Sequence, residues 1–554
     1  NALVVKDAPE NDPNWDHADG THNVIRWNMS EDAAYAVSWF RVDPLSGQVL
    51  NAAVSIDANY AAVMLQQYNL LLEQASSVQS ELSKEALLRP QQGQYNAAQM
   101  LVNGLDPTTE AKRDKFEKLG WNRTRCDYAE RLAESTALDW LILSSKGAKI
   151  TQDDFMHQFI ADLVMHEVGH CLGLRHNFAG STQWSVKDLL DDAKINELGL
   201  SASVMDYTPL NTPAVLRGNG VFFNSTVGPY DMWAIQYGYS EFPKGQETSG
   251  LAAIARESGE PGHLFLTDED ADGINPLAVR YDLSSDTIDW LKTEGEGNQS
   301  VRNYAINGVT KVGQDYSLRN SLILRSFIRD ARNSLMASRF VGGVEMRRMF
   351  KGDVGEKPTL APVDPQVQRQ AMKLIIDKTL MQTGVDLPQT VKVGLSMDPN
   401  DGIGAIWNAP LRAIIGGNQI AVLATLMSAT KADDIAENSF KMAGSKDRYT
   451  LTEHYNMLFA SVFKEVGRNE DISALRRDLQ RFMVEGLITQ ASAPNGLIND
   501  DVRVIAAAGL ARLKVRFDKQ IATPKGLDEI TILHLKDISA QIGRFQKRTM
   551  VGGR

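Results

Sequence analysis

The strongest constraint on this 554-residue chain is one string, His166-Glu167-Val168-Gly169-His170-Cys171-Leu172-Gly173-Leu174-Arg175-His176. Residues four apart on a helix differ by about 40° in direction, so His166 and His170 project from one face and can share one ion. Glu167, turned by about 100° from His166, stands beside that pair and not on it. Gly173 stops the helix, because glycine accepts the left-handed conformation that ends helices. The turn it makes can swing His176 back towards the first two histidines. Three neutral imidazoles with an open fourth position are the ligand set of a catalytic zinc, whereas a structural site closes all four. Cys171 points about 100° away from His170 and is not a fourth ligand.

The sequence around the string supports a helix. Thr151-Gln152-Asp153-Asp154 fits a capping box with Asp in place of Glu or Gln, and the helix predicted from there runs to about Leu172. His157 lies on the opposite face from His166. His17, His22, His263, His454 and His534 are isolated and carry no assigned role. The extended H-E-x-x-H-x-x-G-x-x-H pattern is a recognised peptidase motif, with the glutamate as general base.

Ser203-Val204-Met205-Asp206-Tyr207 follows in turn-rich sequence. Paired with the histidine string, it resembles the Met-turn that lies beneath the zinc in metzincins. The resemblance makes Met205 an apolar, polarizable floor and not a ligand. It puts Tyr207 where astacins and serralysins carry a tyrosine near the metal. Gly228-Pro229-Tyr230-Asp231-Met232-Trp233-Ala234-Ile235-Gln236-Tyr237-Gly238-Tyr239 looks like the helix after the Met-turn in serralysin-like enzymes. Across most of its length the chain resembles a bacterial family of large secreted or envelope zinc-dependent metzincins with a long helical C-terminal region. His176-Asn177-Phe178, Val341-Gly342-Gly343-Val344 and Pro365-Gln366-Val367-Gln368-Arg369-Gln370-Ala371 are further matching pieces. One departure stands out: Asn177 replaces the Glu, Asp, Ser or Pro that follows the third histidine in the better-known subfamilies, so their substrate preferences do not carry over.

This resemblance implies a zinc-dependent endopeptidase that works outside the cytoplasm, either secreted, periplasmic or bound to the envelope. It would hydrolyse peptide bonds with a zinc-activated water, Glu167 as general base and Tyr207 assisting at the oxyanion. Residues 49–57 are the expected strand for pairing with an extended substrate by β-augmentation. The alternative is a catalytically weak zinc-binding protein whose helical region mediates binding. A Cys126–Cys171 disulfide is expected of relatives that work in oxidising surroundings, with two free thiols as the other reading.

The remaining sequence sets the frame. Short β-rich runs at 23–27, 38–42 and 48–57, with turn chemistry in Asp43-Pro44-Leu45-Ser46-Gly47, predict a small twisted sheet with a hairpin. Helical periodicity from about Tyr60 to Leu88 predicts a helical insertion at about 60–110. Residues 126–145 read as another helix, although Leu141-Ile142-Leu143 fits a strand equally well. From about Tyr316 onward most segments have helical period. The expected fold is therefore an α+β metzincin-like catalytic domain over 1–245, then a mainly α-helical C-terminal region over 246–554. A net charge of −11 argues against nucleic-acid or anionic-membrane partners, and no window of about 18 apolar residues predicts a transmembrane helix. No leader opens the chain at Asn1, which reads as a processed or trimmed product. The expected partner is a protein or peptide substrate, and the sequence does not set an oligomeric state. Asp268-Glu269-Asp270-Ala271-Asp272-Gly273 has alternating oxygens, but Val279 stands where an EF-hand needs Glu. A solvated acidic turn is the favoured reading there, with Ca2+ at Asp268, Asp270 and Asp272 as the alternative.

Overall fold

The computed structural model describes residues 4–9, 12, 15–28, 36–57, 139–140, 142–143, 148–310, 316–383, 386–395 and 411–551, leaving out positions 18, 272, 274, 469, 495 and 525. The expected helical insertion at 60–110 and Cys126 lie outside the described residues.

The three β-rich runs form strands β1 (Val24–Asn28), β2 (Ala36–Val42) and β3 (Val49–Asp57). Their order is β1-β3-β2, with β1 parallel and β2 antiparallel to β3. The turn between β2 and β3 closes as its chemistry predicts. Gly47 N donates to Asp43 O at 2.8 Å, the Asp43 carboxylate accepts from Leu45 N and Ser46 Oγ, and Gly47 takes a φ of +74°. The strand order corrects one expectation. Residues 49–57 form the central strand, paired with β2 along its length and with β1 from Ala53 to Asp57, so its second half has no edge left for a peptide. The outer edge of β2 carries no further strand among the described residues.

Helix α1 (Gln152–Cys171) packs across β2 and β3. Asp154 N donates to Thr151 Oγ1 at 3.1 Å, and that hydroxyl donates in turn to the Asp154 carboxylate at 2.7 Å. The cap thus closes side chain to side chain. Phe155, Phe159 and Leu163 come round every four residues on the buried face and meet Ala36, Val54 and Ile56 of the sheet and Phe222 and Phe223.

Short helices follow: α2 (Asp192–Leu198), α3 (Thr212–Arg217), α4 (Pro229–Tyr239), α5 (Glu247–Ala255) and the single turn α6 (Asp268–Ala271). Long helices α7 (Thr287–Asn307) and α8 (Ser317–Ser338) form a hairpin. A two-stranded ribbon, β4 (Val344–Met346) with β5 (Leu360–Pro362), leads to α9 (Pro365–Ile375) and α10 (Gln389–Val393). The last helices are α11 (Leu411–Leu426), α12 (Ala429–Lys441), α13 (Leu451–Val462), α14 (Ala474–Ser492), α15 (Asp500–Ala522) and α16 (Glu529–Val551). No single helix among the described residues is long and apolar enough to cross a membrane.

The hydrophobic interior crosses the division expected at residue 245. One cluster joins the sheet and α1 to Leu322, Ile323 and Phe327 of α8 and Ile415 of α11. The other joins Trp184, Leu189, Ile195 and Leu200 to helices as late as α16.

Candidate metal centre

Helix α1 delivers His166 and His170 one turn apart, and its end delivers the third histidine. Leu174 N donates to Gly169 O at 3.0 Å and Gly173 N to His170 O at 2.9 Å, the paired bonds of a Schellman end. Gly173 has a φ of +88°, and a Cβ there would meet nothing within 4 Å. What glycine supplies at this position is the backbone conformation alone. The reversal brings His176 Nε2 to 3.2 Å from His170 Nε2. Ligand atoms of His166, His170 and His176 all lie within 4.8 Å of one another.

Each ring is aimed from its far nitrogen. His166 Nδ1 donates to Val204 O at 2.7 Å and His170 Nδ1 to Leu174 O at 3.0 Å. His176 Nδ1 donates to the Asp268 carboxylate, 3.0 and 3.1 Å from its two oxygens. Those oxygens only accept, so Nδ1 carries a proton in all three rings and Nε2 is the atom each ring presents to a metal. Burial, followed by the neighbouring His170 and His176, holds His166 well below its ordinary pKa. Burial and then His176 bring His170 down to about 4. Three Nε2 atoms converging on one point suit a cation between them. Nitrogen ligands at about 2.0–2.1 Å from a tetrahedral zinc stand roughly 3.3 Å apart, which matches the 3.2 Å between His170 and His176. The donor set fits one zinc ion with an open position. Glu167, next to His166 in the chain, is fully buried.

The Met-turn is locked from two sides. Met205 is fully buried, and a Cβ on Gly169 would lie 2.2 Å from its Sδ. The thioether seats against α1 because position 169 has no side chain. Asp231 of α4 accepts from Ser203 Oγ at 2.6 Å and from Val204 N and Gly228 N at 2.9 Å each. The aspartate of the Gly-Pro-Tyr-Asp motif thereby fixes the turn whose Val204 carbonyl orients His166. Asp206 accepts from Ser181 N and Tyr207 N; burial first, then Asp282, pushes its carboxyl well above the usual range. Tyr207 Oη lies 3.1 Å from His176 Nε2, with ring centroids 4.8 Å apart.

A family model described as Met-zincin matches residues 148–470. That span covers more than half of the chain and includes the converging histidines and the Met-turn. The chain belongs to the Met-zincin family. No curated protein and no solved structure matches it.

In this Met-zincin the structure brings His166, His170 and His176 together, with Tyr207 Oη near His176, Met205 against Gly169 and Gly173 at the turn between the second and third histidines; Glu167 is buried next to His166 in the chain. Sequence reasoning missed two more. By sequence Asp268 reads as part of an acidic turn or a calcium loop, yet its carboxylate meets His176. Burial would raise its pKa, but the His176 hydrogen bond and the charges of His176, Arg280 and Arg175 outweigh that and hold it at about 2. Asp270 accepts from Arg348 at 2.8–3.1 Å and from Thr267 N at 2.9 Å. The two carboxylates thus face different partners, and Asp272 lies outside the described residues. Asn177, noted only as a departure, is fully buried. Its Nδ2 donates to Leu264 O at 3.0 Å and its Oδ1 accepts from Leu266 N at 3.1 Å. Neither residue has a local sequence signal, because their partners are far along the chain.

Cys171 also differs from expectation. Its thiol is free and buried in the core with Phe155 and Phe159. It packs as a small apolar group, and burial, followed by Glu167, pushes its pKa up to about 11. Cys126, its expected disulfide partner, lies outside the described residues. His263 stacks on Trp233 at 4.8 Å and His454 is buried against Tyr449, so both are packing residues.

Proposed function

We propose that this Met-zincin is a zinc-dependent endopeptidase. The observation that carries the reading is the convergence of three Nε2 atoms on rings each fixed by a bond at Nδ1, with a buried Glu167 next to His166 in the chain. A zinc ion held there would acidify a water molecule and polarise a carbonyl. Glu167 takes the proton from the attacking water and returns it to the leaving amine. Tyr207 Oη donates to the oxygen that gains charge as the carbonyl becomes tetrahedral. The outer edge of β2, which lies against α1 and carries no further strand among the described residues, is the edge proposed to take an extended peptide by β-augmentation. A peptide held by backbone pairing on an open edge can run past the site in both directions, which supports internal cleavage. The resemblance to secreted and envelope enzymes supports a place of action outside the cytoplasm.

The test is digestion of a proteome-derived peptide library, read by mass spectrometry, with and without a chelator. Internal cleavages lost on chelation are expected. Glu167→Ala should keep its zinc and lose about 10²–10⁴-fold in turnover, while His170→Ala should lose the metal. Near-normal turnover in the Glu167 variant would assign the base to another group. Zinc bound with no cleavage of any peptide would favour the binding-protein alternative.

A further inference from the structure

We propose that Asp268 is a positioning residue for the third metal ligand, and that the strap of residues 264–285 carrying it belongs to the metal centre. This inference rests on the zinc reading of the histidine triad.

Of the three acceptors that aim the rings, two are backbone carbonyls, Val204 O and Leu174 O, and only Asp268 is a side chain. It is also the only charged one. A carboxylate bound to the Nδ1–H of a metal-ligating histidine fixes the ring and raises the basicity of Nε2. His176 needs such help most. The other two ligands ride on a regular helix, whereas His176 lies in an irregular turn beyond Gly173.

The strap is fastened around that turn on several sides. Phe178 N donates to Leu266 O at 2.7 Å, and the buried Asn177 carboxamide bonds to Leu264 O and Leu266 N on either side. Arg175, one residue before His176, bonds both oxygens of Glu269 at 2.9 and 2.8 Å and reaches to 3.6 Å from Asp268. Arg280 stands 3.6 Å from the other Asp268 oxygen and lies 4.7 Å over the Phe178 ring. Farther along, Tyr281 N donates to Tyr207 O at 2.8 Å and Ser284 N to Ser181 O at 3.0 Å. Tyr281 and Ser284 are the non-glycine residues with positive φ among the described residues, at 64° and 84°. Such conformations persist where surrounding structure over-determines them, and they cluster at functional sites. Both lie on this strap, and both make the bonds that hold it to the Met-turn side of the centre.

The experiment measures zinc affinity of the full chain by competition with a chromogenic chelator, together with the Tm of the zinc-free protein. Asp268→Asn should bind zinc about tenfold more weakly, the low end of the ~10–100-fold range for such partners, because the Asp268 side chain is 42% exposed. Its zinc-free Tm should match the wild type, since a merely structural contact would show there first. Asp268→Glu, which keeps the carboxylate, should fall closer to wild type than Asp268→Asn. Glu269→Gln loosens the Arg175 clamp but keeps the imidazole contact and should weaken zinc binding less than Asp268→Asn. Equal affinity in wild type and Asp268→Asn overturns the proposal, as does an equal loss in Glu269→Gln. A wild-type protein that takes up no zinc would instead overturn the reading of the histidine triad itself.

Discussion

Tyr207 shows how chemistry and packing meet in one residue. Its ring touches His176, Phe178 and Tyr281, with centroids 4.8, 5.2 and 5.7 Å away, and it is only 2% exposed. Those contacts need the ring; the approach of Oη to His176 Nε2 needs the hydroxyl. Tyr207→Phe keeps the first and removes the second. If the hydroxyl donates only as charge develops, kcat and kcat/KM should fall together, by up to roughly 2.7–4 kcal/mol of transition-state stabilisation. Tyr207→Ala should also lower Tm, because it empties a packed site. Steady-state kinetics and thermal melts on both variants separate the two roles, and an unchanged kcat in Tyr207→Phe would leave only packing. Residues of this kind were legible in the sequence because each lies within a local pattern: the helix spacing of His166 and His170, the glycine stop at 173, the short step from Met205 to Tyr207. Asp268 was not, since its partner is 92 positions away in the chain, and a carboxylate in an acidic run looks solvated until its neighbours are known.

At the scale of elements, α1 and the Met-turn form one unit, joined where Gly169 meets Met205. A methyl group at 169 would lie 2.2 Å from the Met205 sulfur, so Gly169→Ala must push the thioether aside. Overpacking of this sort costs about 1–3 kcal/mol, and the displaced turn should also shift the Val204 carbonyl that orients His166. Gly169→Ala should therefore lower both Tm and zinc affinity. Met205→Ala makes room for the methyl, so adding Gly169→Ala to that variant should cost little more. A double-mutant cycle reads the coupling, and strictly additive losses would show that the contact does not link the two elements. The boundaries of α1 and of the hairpin before β3 are legible in the sequence, because capping and turn residues act over a few positions. The place of β3 in its sheet was hidden, because strand order depends on partners that periodicity does not name. Helix α7 was hidden for another reason. Its buried face carries Glu294, Asn298 and Arg302, which pair with Arg329 and Asp330 of α8, so its inner face reads as polar and the apolar stripe that marks a helix is broken.

The whole molecule binds its metal centre to its helices more tightly than a catalytic domain with an appended region would. Arg329 of α8 bridges Asp139, which precedes α1, and Glu294 of α7, at 2.9 and 2.7 Å, and all three side chains are at most 13% exposed. Thr212 of α3 donates to the same Glu294 carboxylate. The sheet and α1 share one hydrophobic cluster with α8 and α11, and the strap that meets His176 lies beyond residue 245. A fragment of residues 1–245 would lose Asp268, Leu266 and Tyr281 from the centre. It would expose the apolar faces that meet α8 and α11 and leave Asp139 without its guanidinium partner. A typical domain is stable by only about 5–15 kcal/mol, and each of those losses removes part of that margin. The fragment should therefore be insoluble or partly folded, without cooperative melting, and should not hold zinc against a chelator that the full chain withstands. Circular dichroism melts and metal retention on the two chains make the comparison. A cooperatively folded fragment with full-length zinc affinity would restore the division at 245 and reduce the helical region to an accessory.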